Sequence, residues 1–232
     1  VALYTYNLEM NKDPLALTKA LERAAGQPNQ TDPAAPSGSP GVRLWTMHST
    51  DLVADCRVFS VHRQLSSRSP DDHQKHDFYI VRPSNWVNVI PITEDGKVVL
   101  IEQFRHGIRS ITLEVPGGMV DAEDGGSRIA AQRELLEETG YQGEKLFFLG
   151  CNHPNPALQP NICDTYLSVN ARHIQVPKFD STEEIAIRLV PIKEIPSLIR
   201  NGQISHALVI VAFQYLQLFC LENPEYAHLN PF

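Results

Sequence analysis

Three carboxylates stand at helical spacing in the segment PGGMVDAEDGGSRIAAQRELLEETGY, residues 116 to 141. Glu134, Glu137 and Glu138 occupy positions i, i+3 and i+4, so at about 3.6 residues per turn they share one helix face. Like charges at that spacing repel and weaken the helix. A hard divalent cation offsets the repulsion, because Mg²⁺ and Mn²⁺ take carboxylate oxygens and are commonly bound together with substrate phosphates. The chemistry this suggests is attack of water on a phosphate bond. Ser127 is the expected N-cap of the helix. Gly140 is the expected left-handed residue past its end. Ile129 and Leu136, away from the acidic face, are the expected core contacts.

An isolated ExxEE run is more often a solvated acidic face. Here several further residues agree with one another. Arg133-Glu134-Leu135-Leu136-Glu137-Glu138-Thr139-Gly140-Tyr141 resembles the end of the Nudix box, REUxEExGU with U apolar or aromatic. Gly118 fits the box's first glycine. One departure stands out: the box places fourteen steps between that Gly and the Arg, and Gly118 to Arg133 is fifteen. The loop therefore carries one extra residue, and its acidic position is either Glu123 or Asp124.

The resemblance implies a site. Glu134, Glu137, Glu138 and the Gly117 backbone carbonyl would hold about two or three Mg²⁺ or Mn²⁺ ions. The ions would neutralise a diphosphate, acidify a water and align it for in-line attack. Glu137 and Glu138 are catalytic candidates, and Arg133 is expected to brace the helix and its glutamates. Gly118 is grouped with the substrate contacts.

The elements around the box carry the same resemblance. Trp86 to Ile92 and Val98 to Gln103 read as a hairpin about the turn dipeptide Asp95-Gly96. Gln103-Phe104-Arg105 resembles the QxR segment of the ADP-ribose pyrophosphatase group, whose Arg lies near the substrate diphosphate; a planar fork suits two phosphate oxygens. Ile111 to Pro116 is a strand into the Gly turn. Its Glu114 resembles the Glu of the LExPAG segment and is grouped with the substrate contacts, its role left open. The Pro-stiffened loop 151–160 resembles one that borders the substrate site in family dimers, which makes His153 and Asn155 candidates for contact. In FDSTEEIAIRLV, residues 179 to 190, the resemblance puts Glu183 on a metal-binding and catalytic position. Ser181 stands where the family's general base is expected. A hydroxyl does not take a proton at neutral pH as a carboxylate does, so the base is Glu183, Glu184, Asp180 or a box carboxylate.

Residues 1 to 41 read as an appendage: a short helix from Asp13-Pro14 to near Gly26, then a Pro/Gly/Ser-rich linker. Residues 42 to 84 read as a small subdomain, with strands at Cys56 to His62 and Phe78 to Arg82. It resembles the antiparallel sheet that helps build the homodimer and the nucleotide pocket in this family, and Arg82 is grouped with the substrate contacts. His73 and His76 fall in a polar loop between those strands. After the box come strands at 146–149, 162–169 and 185–189, then helices at 191–200 and 205–221 with core periodicity. The tail ENPEYAHLNPF is expected to be irregular.

Composition bounds the rest. A 232-residue chain with 42% hydrophobic content supports a sizeable core. A net charge of −7 without a basic run argues against bulk nucleic-acid or anionic-membrane binding, and so against an RNA- or cap-directed enzyme. No apolar run reaches the roughly 18 residues of a membrane span. The four cysteines form no CxxC pair and suit reduced thiols of a cytoplasmic protein. No secretory signal is visible in a chain that begins with Val1.

The expectation is an α/β fold, a Nudix α/β/α sandwich with a mixed sheet over residues 85–232, preceded by a small antiparallel sheet. The expected activity is metal-dependent hydrolysis of ADP-ribose or another nucleoside diphosphate sugar. The competing reading is a nucleotide-binding module with weak or no catalysis.

Overall fold

The computed structural model describes residues 41–179 and 184–232, and they divide into two compact units. The helix and linker expected before residue 41 lie outside the described residues. So do Asp180, Ser181 and Glu183.

The smaller unit comprises the described residues up to Asn85 together with His153–Ile162. Its sheet is antiparallel, β1 (Thr46–Asp55), β2 (Phe59–Ser67) and β3 (His76–Pro83), in that order. The strand expected from Cys56 is displaced. Arg57 takes a left-handed φ of 66° in the β1–β2 turn and donates its backbone N–H to Asp55 Oδ1 at 3.1 Å. An aspartate two residues back stabilises such a turn, and alternation alone did not reveal the break. His76 belongs to β3, its ring 5.6 Å from that of Trp45, and not to the preceding loop.

The larger unit is built on a mixed sheet. Its strands are β4 (Trp86–Ile92), β5 (Lys97–Arg105), β6 (Ser110–Glu114), β7 (Gly117–Met119), β9 (Lys145–Asn152), β10 (Cys163–Val169) and β12 (Ile185–Pro191). The main order is β12-β5-β4-β10-β9, with β6 beside β5 and β7 beside β4. The short strands β8 (Tyr141–Gln142) and β11 (Arg172–His173) pair separately. Strand β10 runs parallel to β4 and is buried along its whole length, as a central strand covered on both faces must be.

Helix α1 (Ser127–Thr139) covers one face, where Ala130, Ala131 and Leu135 meet Val87, Val89 and Tyr166. Helices α2 (Ile195–Arg200) and α3 (Ala207–Glu222) belong to the other, where Phe213 and Leu216 meet Ile90, Ile92 and Leu167. The result is the expected α/β/α sandwich. Among the described residues no helix is long and apolar enough to cross a membrane.

Three local expectations are corrected. Ile129 is half exposed, and the face that packs is Ala130, Ala131 and Leu135; small alanines let the helix approach the sheet more closely than Ile129 and Leu136 would. Gly126, not Ser127, is the N-cap, and the Ser127 hydroxyl pairs with Tyr166 Oη at 2.8 Å. The tail is ordered at Pro224–Leu229, where Tyr226 packs on Phe147 and Phe219 at ring separations of 5.2 and 5.5 Å.

The hairpin at Asp95-Gly96 forms, yet β4 and β5 share only the register pair Ile92–Val98. Beyond it they part, β5 pairing with β6 and β4 with β7. That divergence opens the sheet toward the segment that follows Glu114.

Gly140 ends α1 with φ 70°, donating its N–H to Leu136 O at 2.9 Å, and a Cβ there would strike the Gln175 carbonyl oxygen. Gly140→Ala should lower stability by at least about 1 kcal/mol, since left-handed backbone is costly for alanine even without the clash. The urea midpoint reads this; an unchanged midpoint would remove the steric account of the helix end.

Candidate functional site

Helix α1 presents its three glutamates in graded burial. The Glu134 side chain is 13% exposed and the Glu137 side chain 44%; Glu138 is buried. One guanidinium holds the group together. Arg133 donates from Nε and Nη2 to the two oxygens of Asp124, each at 2.8 Å. From Nη1 it reaches Glu134 at 2.9 Å and Glu137 at 3.1 Å, and Nη2 also meets Met119 O at 3.0 Å. The expectation that Arg133 braces the helix agrees with this geometry.

The open choice in the loop falls on Asp124. A single 3-10 turn, Ala122–Asp124, points it at Arg133, while Glu123 is exposed. Asp124 Oδ2 also accepts the Asp121 backbone N–H at 2.8 Å. The Arg133 hydrogen bonds hold the Asp124 carboxyl below the usual aspartate value against its partial desolvation. Arg133 in turn is pushed further up, first by Asp124.

Gly117 and Gly118 carry the β7 backbone tightly against these carboxylates. Gly117 N–H donates to Glu138 Oε2 at 2.8 Å. A Cβ on Gly118 would overlap the Glu134 carboxylate, and one on Gly117 would overlap Val87 O. A larger residue at 117 would force β7 off β4, and one at 118 would displace the Glu134 carboxylate.

The same two glycines line a cleft of about 640 Å³ with Trp86, Asn88, Arg105, Met119 and His206. It occupies the gap left where β4 and β5 part. Glu114 belongs to its lining, buried and fully engaged. Arg105 donates to it from Nε and Nη2, both at 2.8 Å. His206 Nδ1 is 2.9 Å from Oε2, and the Thr112 hydroxyl donates to Oε1. Burial pushes the Glu114 carboxyl up, but the hydrogen bonds from Arg105, His206 and Thr112 together hold it well below the usual range. It is a carboxylate, and it accepts only.

Arg105, expected near the substrate diphosphate, lines this cleft. Its Nε–Nη2 fork is engaged with Glu114, so it does not present that edge to a diphosphate. His206 and Thr112 were missed from sequence. His206 lies 92 residues from Glu114 and bears no motif beyond preceding an apolar helix.

Arg82, His153 and Asn155 are exposed residues of the smaller unit. Glu184 is exposed ahead of β12. Among the described residues no three His, Cys, Asp or Glu side chains converge as a ready metal cage. The reason is visible: Arg133 holds Glu134 and Glu137, and Gly117 N–H holds Glu138. The donor set nonetheless fits a hard cation, being all oxygen, on one helix face, beside a backbone kept close by two glycines.

A family model of the NUDIX domain matches residues 83–212. The ADP-ribose pyrophosphatase of Bacillus subtilis (strain 168) is 27% identical over 140 residues, 60% of this chain and 75% of that protein. The methanol dehydrogenase activator of Bacillus methanolicus is 31% identical over 141 residues, with 60% and 75% covered. A crystal structure of an ADP compounds hydrolase superposes with TM-score 0.69 at 21% identity, covering 78% of this chain and 97% of that one.

Because Asp124 is held below its ordinary value, its pairing with Arg133 adds stability above about pH 4 and loses it as pH falls further. Arg133→Gln should therefore be less stable than the wild type at pH 7, with the gap closing on acidification as the carboxylates lose their mutual repulsion. Urea midpoints at neutral pH and near pH 3 measure this; a gap that stays constant would mean the ion pairs contribute nothing.

Proposed function

Because the chain belongs to the NUDIX domain family, we propose that it is a metal-dependent hydrolase of ADP-ribose or a related nucleoside diphosphate sugar such as GDP-mannose. The observation that carries this reading is the acidic face of α1, braced by Arg133 and pressed against the two glycines that also line the cleft.

The roles proposed are these. Glu134, Glu137, Glu138 and the Gly117 carbonyl would hold Mg²⁺ or Mn²⁺, with Glu183 completing the set. The cation, when bound, supplies charge that offsets the diphosphate oxygens and acidifies a water. Arg133 keeps three carboxylates from splaying apart under their own repulsion. Glu138, buried and fixed by Gly117 N–H, holds one position with little freedom. Glu137, the most exposed of the three, retains room to move. A carboxylate of this group or of the 180–184 segment takes the proton of the attacking water. The P–O–P bridge breaks, giving a nucleoside monophosphate and a sugar phosphate. The cleft, with Arg105 and Gly118, receives the substrate; Arg82 is proposed as a substrate contact on the family resemblance alone.

Residues 42–84 serve in a homodimer. Supporting this, the described sheet exposes Met47, Leu52, Val53, Phe78 and Tyr79, with Trp45 just before it, more apolar surface than a free sheet usually leaves in water. All four cysteines are free thiols, in keeping with a cytoplasmic setting.

Glu138→Gln retains an oxygen to accept the Gly117 N–H while losing the charge. With Mg²⁺ or Mn²⁺, wild type should release AMP from ADP-ribose or GMP from GDP-mannose, and the variant should be slower by about a hundredfold or more at similar stability. Nucleotide binding without turnover of either sugar, of UDP-glucose or of a dinucleoside polyphosphate would favour the binding module. Sedimentation of the full chain should give twice its mass; a monomer at all concentrations would remove the dimer.

A further inference from the structure

We propose that His206 is a positioning residue: by holding the buried Glu114 carboxylate through Nδ1, it sets the aim of Arg105 at the cleft. This deepens the hydrolase reading and rests on it.

Three elements meet at Glu114. Arg105 comes from the last pair of β5, where Arg105 faces Ser110 before the chain turns through an exposed loop. Its side chain is long and 43% exposed, whereas that of Glu114 is 3% exposed. A flexible cation at a strand end takes its direction from the rigid anion it is bonded to, and here that anion is buried. The direction of Glu114 is set in turn by its other donors. Thr112 fixes Oε1 from two residues back on the same strand. His206 fixes Oε2 from the start of α3. Without the imidazole, Oε2 keeps Arg105 Nη2 but loses the donor from the start of α3, so the carboxylate is held by Thr112 and by Arg105 itself and orients its arginine less strictly.

The chemistry fixes the imidazole as well. Glu114 is ionised and accepts only, so Nδ1 carries the proton and donates. Nε2 makes no hydrogen bond among the described residues. The two nitrogens therefore have separable roles, and amide replacements separate them. Asparagine places an N–H near the position of Nδ1; glutamine places one farther out, near Nε2.

The test is steady-state kinetics on ADP-ribose and GDP-mannose with Mg²⁺, for wild type and His206→Ala, His206→Asn and His206→Gln, each checked by urea midpoint. Alanine and glutamine should raise KM about tenfold with kcat within about threefold, the split expected when substrate positioning is lost without loss of chemistry. Asparagine should return KM to within about threefold of wild type. An unchanged KM in the alanine and glutamine variants, or an asparagine variant no better than alanine, overturns the proposal. If alanine fails to fold, glutamine and asparagine make the same comparison.

A second readout does not need turnover. The Arg105 Nε–H resonance, assigned by its loss in Arg105→Lys, should exchange slowly with water in wild type and asparagine and rapidly in glutamine. If wild type hydrolyses neither sugar, the hydrolase reading falls, and this resonance alone decides the role of His206. Equal protection in all variants overturns it.

Discussion

Four carboxylates crowded within reach of one another do not stay there unaided. Asp124, Glu134, Glu137 and Glu138 come from a loop turn and one helix face, and the guanidinium of Arg133 is what lets three of them share a small volume. Arginine suits this where lysine does not, because its flat fork donates in several directions at once. The rest of the local structure follows from holding that group in place. The 3-10 turn points Asp124 inward, and the longer loop still delivers it. The alanines of α1 bring the helix close to the sheet. Glu138 is held by a backbone N–H, that of Gly117.

A second constraint is topological. Strand β4 lies between a parallel neighbour, β10, and a hairpin partner, β5, from which it parts after one register pair. Each strand then takes a different short partner, β7 or β6. The divergence does two things at once. It brings Gly117 and Gly118 against the acidic face of α1, and it opens the cleft that those glycines line. Neither works with a side chain at those positions, so the glycines are set by close approach rather than by turn geometry.

What the sequence made legible was local in period or in spacing. The i, i+3, i+4 carboxylates, the closing Gly140 and the buried run of β5 each leave a pattern a few residues long, and each stands in the structure. The division of labour among the charges was less legible. The bond between Arg105 and Glu114, nine residues apart on adjacent strands, left no local pattern. His206 left no signal, since the contact that defines it spans most of the domain. Ile129 misled in a different way: hydrophobic type suggested burial, but the approach distance of α1 favours alanine at the seam. The β1–β2 turn at Arg57 hid inside an alternating run because strand period says nothing about where a chain reverses.

The two arginines bear on how an anionic substrate would be met in the proposed reaction. Arg133 is committed to carboxylates, and the fork of Arg105 is committed to Glu114. Counting Asp124, Glu134, Glu137 and Glu138 against Arg133 leaves about three negative charges on the acidic face, and Arg105 with Glu114 adds none. A diphosphate brought to that face as it stands would be repelled, at a range where partial burial weakens screening. In the proposed reaction a divalent cation would supply the positive charge that offsets this repulsion. This is why a divalent cation belongs to the proposed reaction on electrostatic grounds alone. It is also why the site is built from glutamates: a face of lysines would bind the diphosphate directly but would leave nothing to take the proton from water.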